Sequence, residues 1–224
     1  MIITIDGAAG TGKSSVAKQL AQLFGFVYFD TGALYRAIAW KLVRDNIDLK
    51  DDKAIKKNLK TFTFHIQYQD SVAHYFVGES DVTQEIRFPQ ISSVASQIAA
   101  LGCVRQALRP IQLEFAQKRS TVFEGRDLGT GIFPVADLKF FLTARVEIRA
   151  QRRLEDLQTR FPEKSSYFSY TEVLEEIKQR DHFDSTRLLD PLKKADDAIV
   201  IDTSDLCLEE VIALMKEYVE KRLR

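Results

Sequence analysis

The chain has 224 residues, 45% of them hydrophobic, which suffices for one sizeable core or one core with a smaller appended lobe. Lysine plus arginine number 32 and aspartate plus glutamate 32, so no net charge draws the protein towards nucleic acid or a membrane, and any polyanion must be met locally. The two cysteines, Cys103 and Cys207, stand far apart without metal-ligand spacing, which argues against a disulfide framework or a zinc site and for two small hydrophobic side chains.

The opening Met1-Ile2-Ile3-Thr4-Ile5-Asp6 lacks a basic segment followed by a long apolar one and runs straight into a buried-strand pattern over residues 2–5. No apolar run approaches the roughly 18 residues of a membrane helix, so a soluble cytoplasmic protein is expected. Lys13–Phe24 carries Val16, Leu20, Leu23 and Phe24 at helical spacing, with Gly25 as C-cap. A strand at 27–29 and a helix through Leu34, Ile38 and Leu42 continue the β-α-β-α alternation of a parallel sheet.

The pattern then changes. Phe62, Phe64, Ile66 and Tyr68 alternate with polar residues, as do Ala73, Tyr75 and Val77 after a polar turn at Asp70 and Ser71. With Asp81 and Val82 as a third short strand, this stretch reads as a small antiparallel insert. Ile91, Val94, Ala95, Ile98 and Leu101, then Val104, Ala107, Leu108, Ile111 and Phe115, mark two helices. Strands at 121–124, 138–142 and 198–201 bring the parallel core to five. Ser169 with Glu172 fits a capping box for a helix running to about Asp181, and Leu208, Val211, Ile212, Met215 and Val219 make a final amphipathic helix.

Gly7-Ala8-Ala9-Gly10-Thr11-Gly12-Lys13-Ser14 satisfies the G-x-x-x-x-G-K-[ST] pattern between a predicted strand and a predicted helix. Its backbone N–H groups converge on phosphate oxygens, Lys13 reaches the β/γ-phosphates, and the Ser14 hydroxyl ligates Mg. With Ser15, these residues form the expected ATP-binding set. The loop alone leaves switch, motor and kinase open. The guanine-reading N-K-x-D and the D-x-x-G of a GTPase switch do not occur.

Arginine can grip phosphate bidentately, which suits transfer between two phosphate-bearing molecules. Arginines fall in three compact patterns: Thr31-Gly32-Ala33-Leu34-Tyr35-Arg36, Glu124-Gly125-Arg126-Asp127-Leu128-Gly129-Thr130, and the stretch from Arg180 through Asp184 to Arg187. Each has a plainer reading. Arg36 fits an exposed helix position, and Arg149, Arg152 and Arg153 fit a solvated ion-pair face with Glu147, Glu155 and Asp156. Arg126 and Asp127 follow a core strand at its C-terminal end, where ligands gather in open parallel sheets. His65, His74 and His182 have no metal or triad partner spaced nearby and read as structural or surface residues, and Trp40 as core.

These patterns, together with Ile3-Thr4-Ile5-Asp6-Gly7 and Val94-Ala95-Ser96-Gln97-Ile98-Ala99-Ala100, resemble bacterial cytidylate kinase, of the nucleoside monophosphate kinases, over nearly the whole chain. The resemblance implies an α/β P-loop fold, with a five-stranded parallel sheet flanked by helices, a small antiparallel insert and a helical lid. Residues 1–59 and 102–224 would form the core, with the lid at about 145–165, and 60–101 the monophosphate-binding insert. It implies Mg-dependent transfer from ATP to CMP or dCMP by a monomer. Arg36, Arg126 and Arg187 would hold the acceptor phosphate, Ser96, Arg105 and Asp127 read the cytosine edge, and Arg180 and Asp184 hold the sugar. Thr31, where the family often has serine, and Tyr35 complete the substrate set. Lys13, Arg126, Arg187 and a lid arginine, Arg152 with Arg149 or Arg153 as alternates, would act on the transferring group. Glu124 stands where some members carry aspartate near the metal. Another monophosphate is the nearest rival substrate. A non-catalytic nucleotide-binding module is the rival class, and it would leave the acceptor-side arginines without purpose.

Overall fold

Five strands, β1 (Ile2–Gly7), β2 (Val27–Asp30), β6 (Thr121–Gly125), β7 (Leu138–Thr143) and β8 (Ile199–Asp202), form one sheet in the order β2-β6-β1-β7-β8 in a computed structural model. The structure describes residues 1–69 and 72–224, except the side chains of 164–166; the turn expected at Asp70 and Ser71 lies outside the described residues. The strands β1, β6, β7 and β8 pair in parallel, so their C-terminal ends lie along one edge. In register, Asp6 lies beside Gly125 and Gly7 beside Leu142, which brings the loop after β1 next to the turn after β6.

This sheet belongs to the first of two units, Met1–Phe29 with Arg119–Arg224. Its core packs Ile3, Ile5, Val122, Phe140, Leu142 and Ile201 of the strands against α1 (Lys13–Phe24) through Val16 and Leu20, and against α8 (Leu208–Leu223) through Val211, Met215 and Val219. Truncating a side chain such as Leu20 in such a core costs about 2–5 kcal/mol. The α1 boundaries are those the sequence predicts, ending on Gly25 in the left-handed conformation. A separate cluster of Ala150 and Leu157 with Val173 and Ile177 joins α6 (Val146–Arg160) to α7 (Tyr170–Thr186).

The second unit, Asp30–Lys118, holds α2 (Thr31–Arg44), α3 (Asp52–Leu59), the antiparallel strands β3 (Phe64–Gln69), β4 (Val72–Val77) and β5 (Ser80–Asp81), α4 (Pro89–Ile98) and α5 (Gly102–Lys118). It contains the whole of 60–101 and extends beyond it at both ends. Ala33, Ala37, Tyr75, Val77, Val82 and Ile86 form its core, with Trp40 half-buried against them.

Several expectations shift. The third short strand is Ser80–Asp81, and Val82 leaves it to enter the core. Helix α7 runs on to Thr186 rather than ending near Asp181, its last turn steadied by Ser185 and Thr186 hydroxyls donating to the Asp181 and His182 carbonyls. Helix α3 had no sequence signal beyond Ile55, its one buried residue. Cys207 is not a buried hydrophobe: it is exposed at the N-cap of α8, its N–H donating to Glu210 at 2.7 Å.

Candidate active site

The glycine loop after β1 needs residues without side chains for two distinct reasons. Gly12 caps α1 at φ 88°, a conformation L side chains rarely adopt. Gly10 has φ 76°, and a Cβ there would come within 2.8 Å of the Arg149 carbonyl oxygen. Two contacts hold the loop from outside. The Arg149 guanidinium donates to the Ala9 carbonyl at 3.2 Å and to Asp181 of α7 at 2.6 Å, and the Thr203 hydroxyl donates to the Thr11 carbonyl at 3.1 Å. The loop's shape is thereby set before any phosphate arrives.

Lys13 is buried, and its ammonium donates to the Ala8 carbonyl of its own loop at 2.6 Å. Burial, then Arg126, pushes its pKa well below the usual lysine range, against the pull of Glu124. Ser14 and Ser15 are exposed at the start of α1. The Ser14 hydroxyl donates to Glu124 at 2.8 Å, and Glu124, the last side chain of β6 before Gly125, also accepts from the Tyr28 hydroxyl. A hydroxyl and a carboxylate are hard oxygen donors of the kind magnesium takes. No cluster of three His, Cys, Asp or Glu suited to a metal occurs among the described residues.

Beyond β6, one buried carboxylate organises three guanidiniums. Asp184 of α7 accepts from Arg126 Nε at 3.2 Å and lies 4.0 Å from Arg180 and 3.8 Å from Arg187. Arg187 caps the C-terminal end of α7 and donates to Asp127 at 3.1 Å and to the Asp190 carbonyl at 2.6 Å. The continuation of α7 past Asp181 creates this arrangement, because it puts Arg180 and Asp184 on one face. Arg126 and Arg187 differ in exposure: their side chains are 20% and 3% accessible. Thus the first unit brings together Lys13, Ser14, Glu124, Arg126, Asp127, Arg180, Asp184 and Arg187.

The remaining candidates make other contacts. Arg152, on α6, donates through Nη1 to the Thr203 hydroxyl and through Nη2 to the Thr203 carbonyl, at 3.0 and 2.7 Å. Arg153 pairs with Asp156 at 2.9 Å, as an ion-pair face would have it. Thr31, Tyr35, Arg36, Ser96 and Arg105 belong to the second unit. There Asp30 caps α2 by accepting from the Ala33 amide at 2.8 Å, and it pairs with Arg36 at 2.8 Å. Burial alone would raise the Asp30 pKa, but Arg36 and Arg87 hold it below its ordinary value. Arg36 Nε is buried with no hydrogen-bond partner among the described residues. Arg105, also buried, donates to the Ala99 carbonyl at 3.1 Å, and Ser96 is half-buried on α4.

Asp6, Asp30, Asp181 and Thr203 were not singled out by sequence reasoning. Asp6 carried one usable signal: an acid directly before the first glycine of the loop, at the end of a core strand. Asp30 carried another, an acid in the N-cap position of α2, three residues before the amide it accepts from; Asp181 and Thr203 act on partners far away in the chain and left none.

Comparison with known proteins gives the family. The cytidylate kinase family model matches residues 3–221. A cytidylate kinase of Protochlamydia amoebophila is 46% identical, covering 97% of this chain and 96% of its own. One of Carboxydothermus hydrogenoformans is 41% identical over 99% and 98%. The solved shikimate kinase of Bacteroides thetaiotaomicron, 12% identical with a TM-score of 0.51 and 98% of each chain covered, shares the fold. With its family model matched over nearly its full length, this chain belongs to the cytidylate kinase family.

Proposed function

We propose that this protein transfers the γ-phosphoryl group of ATP to a phosphate oxygen of CMP or dCMP, giving the diphosphate and ADP. Family membership supports the reaction. The observation that carries it in this chain is the cluster of Arg126, Arg180 and Arg187 around Asp184, within the same unit as Lys13 and the glycine loop.

Phosphoryl transfer proceeds through a loose transition state whose charge spreads over the moving group, so catalysis is mainly positioning and charge stabilisation. On this reading Gly7, Ala8, Ala9, Gly10, Thr11, Gly12, Lys13, Ser14 and Ser15 hold ATP, and the Lys13 ammonium exchanges the Ala8 carbonyl for phosphate oxygens. Arg36, Arg126 and Arg187 take the acceptor phosphate. Thr31 and Tyr35 complete the acceptor side. Arg180 and Asp184 hold the sugar. Ser96, Arg105 and Asp127 meet the cytosine edge, where a carboxylate suits the exocyclic amino donor and opposes the uracil carbonyl. Ser14, with its partner Glu124, would hold magnesium, which would supply charge neutralisation to the phosphates when bound.

The 60–101 segment would act as the monophosphate-binding insert and about 145–165 as a lid that excludes water, with Arg152 supplied from it. One chain carries every group required, which supports a monomer. No described helix is long and apolar enough to cross a membrane, and we place the activity in the cytoplasm with its nucleotide substrates. A coupled ADP-release assay over CMP, dCMP, UMP, AMP, GMP and shikimate tests the proposal. CMP and dCMP should be preferred; no turnover of CMP, or equal turnover of all acceptors, refutes it.

A further inference from the structure

Asp6 makes no contact with the phosphates in the reading above, yet it is buried at the end of the strand that leads into the loop, 4% exposed. Its Oδ1 accepts from the Leu128 amide at 3.0 Å and its Oδ2 from the Gly129 amide at 2.8 Å. Those amides belong to the turn that leaves β6 carrying Arg126 and Asp127. The β1–β6 ladder ends where Asp6 lies beside Gly125, so beyond that point the sheet no longer holds this turn. The turn closes on itself through the Gly131 amide, which donates to the Asp127 carbonyl at 2.8 Å, and the Asp127 side chain accepts from Arg187 at 3.1 Å. We propose that Asp6 is a positioning residue for the acceptor, fixing the turn of Arg126 and Asp127 to the strand that begins the ATP loop. This inference rests on the functional reading above.

The arrangement is costly in isolation. Burial outweighs the two amide bonds and raises the Asp6 carboxyl to about 6, with Asp127 also opposing its charge and Lys13 favouring it. A carboxylate kept in such a place, with two amides of one turn as its hydrogen-bond donors, does what a neutral side chain cannot: it accepts at both oxygens with no donor of its own. Two amides bound to one planar group fix the orientation of the peptide, and with it the direction in which the neighbouring Arg126 and Asp127 leave the backbone. The same residue immediately precedes Gly7, so one strand end aligns both substrates' sites.

Asp6→Asn sets an NH2 group against one of the two amides and keeps the side chain's shape. A second variant crowds the turn without replacing a residue of β1: a Cβ on Gly129 would lie 3.1 Å from Lys139 Cδ and 3.4 Å from Asp6 Oδ2. Steady-state kinetics on folded Asp6→Asn and Gly129→Ala protein, verified by circular dichroism, should show KM for CMP raised about tenfold or more, with KM for ATP within about threefold of wild type. A merely structural role would reduce the active fraction, lowering kcat with both KM values unchanged. That result, or KM values for CMP and ATP rising together, overturns the inference. Should Asp6→Asn fail to fold, Gly129→Ala decides alone. Wild-type enzyme run alongside separates the two claims: if it turns over no CMP, the functional reading falls and the inference with it, whereas turnover by wild type with unselective variants sinks the inference only.

Discussion

Replacing Arg149 by alanine removes a guanidinium that ties the ATP loop to α7. Its Nη1 lies 2.6 Å from Asp181 and 3.2 Å from the Ala9 carbonyl, and its Nε 2.9 Å from the Ala144 carbonyl. The two charged side chains are 9% and 24% accessible. Asp181 Oδ1 already has no hydrogen-bond partner among the described residues, so truncation leaves the whole carboxylate unmatched. Breaking a buried pair by removing one partner costs roughly 3–5 kcal/mol, and the part of Asp181 still in water puts the expected loss near the lower end, about 3 kcal/mol. Urea denaturation of wild type, Arg149→Ala, Asp181→Ala and the double variant gives a cycle in which the double costs less than the sum by about 1–3 kcal/mol. KM for ATP should rise in Arg149→Ala, because the Ala9 carbonyl loses its outside support. A loss under about 1 kcal/mol, or an additive double variant, refutes the view that this pair braces the loop.

Lys13→Met should cut kcat by about 100-fold or more, the usual cost of one preorganised charge on the moving phosphoryl, while leaving KM for CMP near wild type in steady-state assays. Asp127→Asn should erode the preference of CMP over UMP, read as the ratio of their kcat/KM values, by about tenfold or more. The Asp6 contribution to stability should fall as pH rises from about 4 to about 6, because native Asp6 then retains a proton that the unfolded chain releases. The rise from 3.8 to about 6, at 1.36 kcal/mol per pH unit, makes this about 3 kcal/mol, and urea midpoints across that range should flatten in Asp6→Asn even with Lys13 and Asp127 facing the site.

Much of the fold was legible because its signals are local. Gly12 and Gly25 punctuate α1, the alternation around Phe64 and Tyr75 marks the antiparallel strands, and apolar runs mark the core strands. Where those signals thinned, the reading failed. Helix α3 buries Ile55 alone and takes its start from Asp51 accepting the Lys53 and Ala54 amides, a cap with no apolar stripe behind it. Helix α7 outran its expected end because nothing after Asp181 forbids helix until Arg187, and serine and threonine hydroxyls turned back onto the backbone rather than breaking it. Lys13 and Ser14 could be named because a pattern of adjacent residues defines their task. Thr203 could not, and Arg149 was named only as an alternate lid arginine: the loop carbonyls they meet are 192 and 140 residues away in sequence, so only the fold reveals what they hold.

The arginines illustrate why acids accompany them. Several guanidiniums gathered without counter-charge would repel one another, and mobile arginines would lose entropy on meeting a phosphate. Asp184 answers both problems at once. It engages Arg126 through Nε, and Gly125 takes Nη1, which leaves Nη2 without a hydrogen-bond partner among the described residues. Arg126 is therefore oriented from behind, with the far end of its fork available. Arg187 is nearly fully enclosed, spends Nε and Nη2 on Asp190 and Asp127, and turns Nη1 towards Asp184 at 3.8 Å. On the proposed reading, an arriving phosphate adds bonds to guanidiniums already aimed and need not displace the carboxylates that aim them. Asp184→Asn should accordingly weaken CMP binding even though it removes a negative charge from beside an anionic ligand; tighter binding in that variant, measured by calorimetry, would show that the acid merely competes with the substrate.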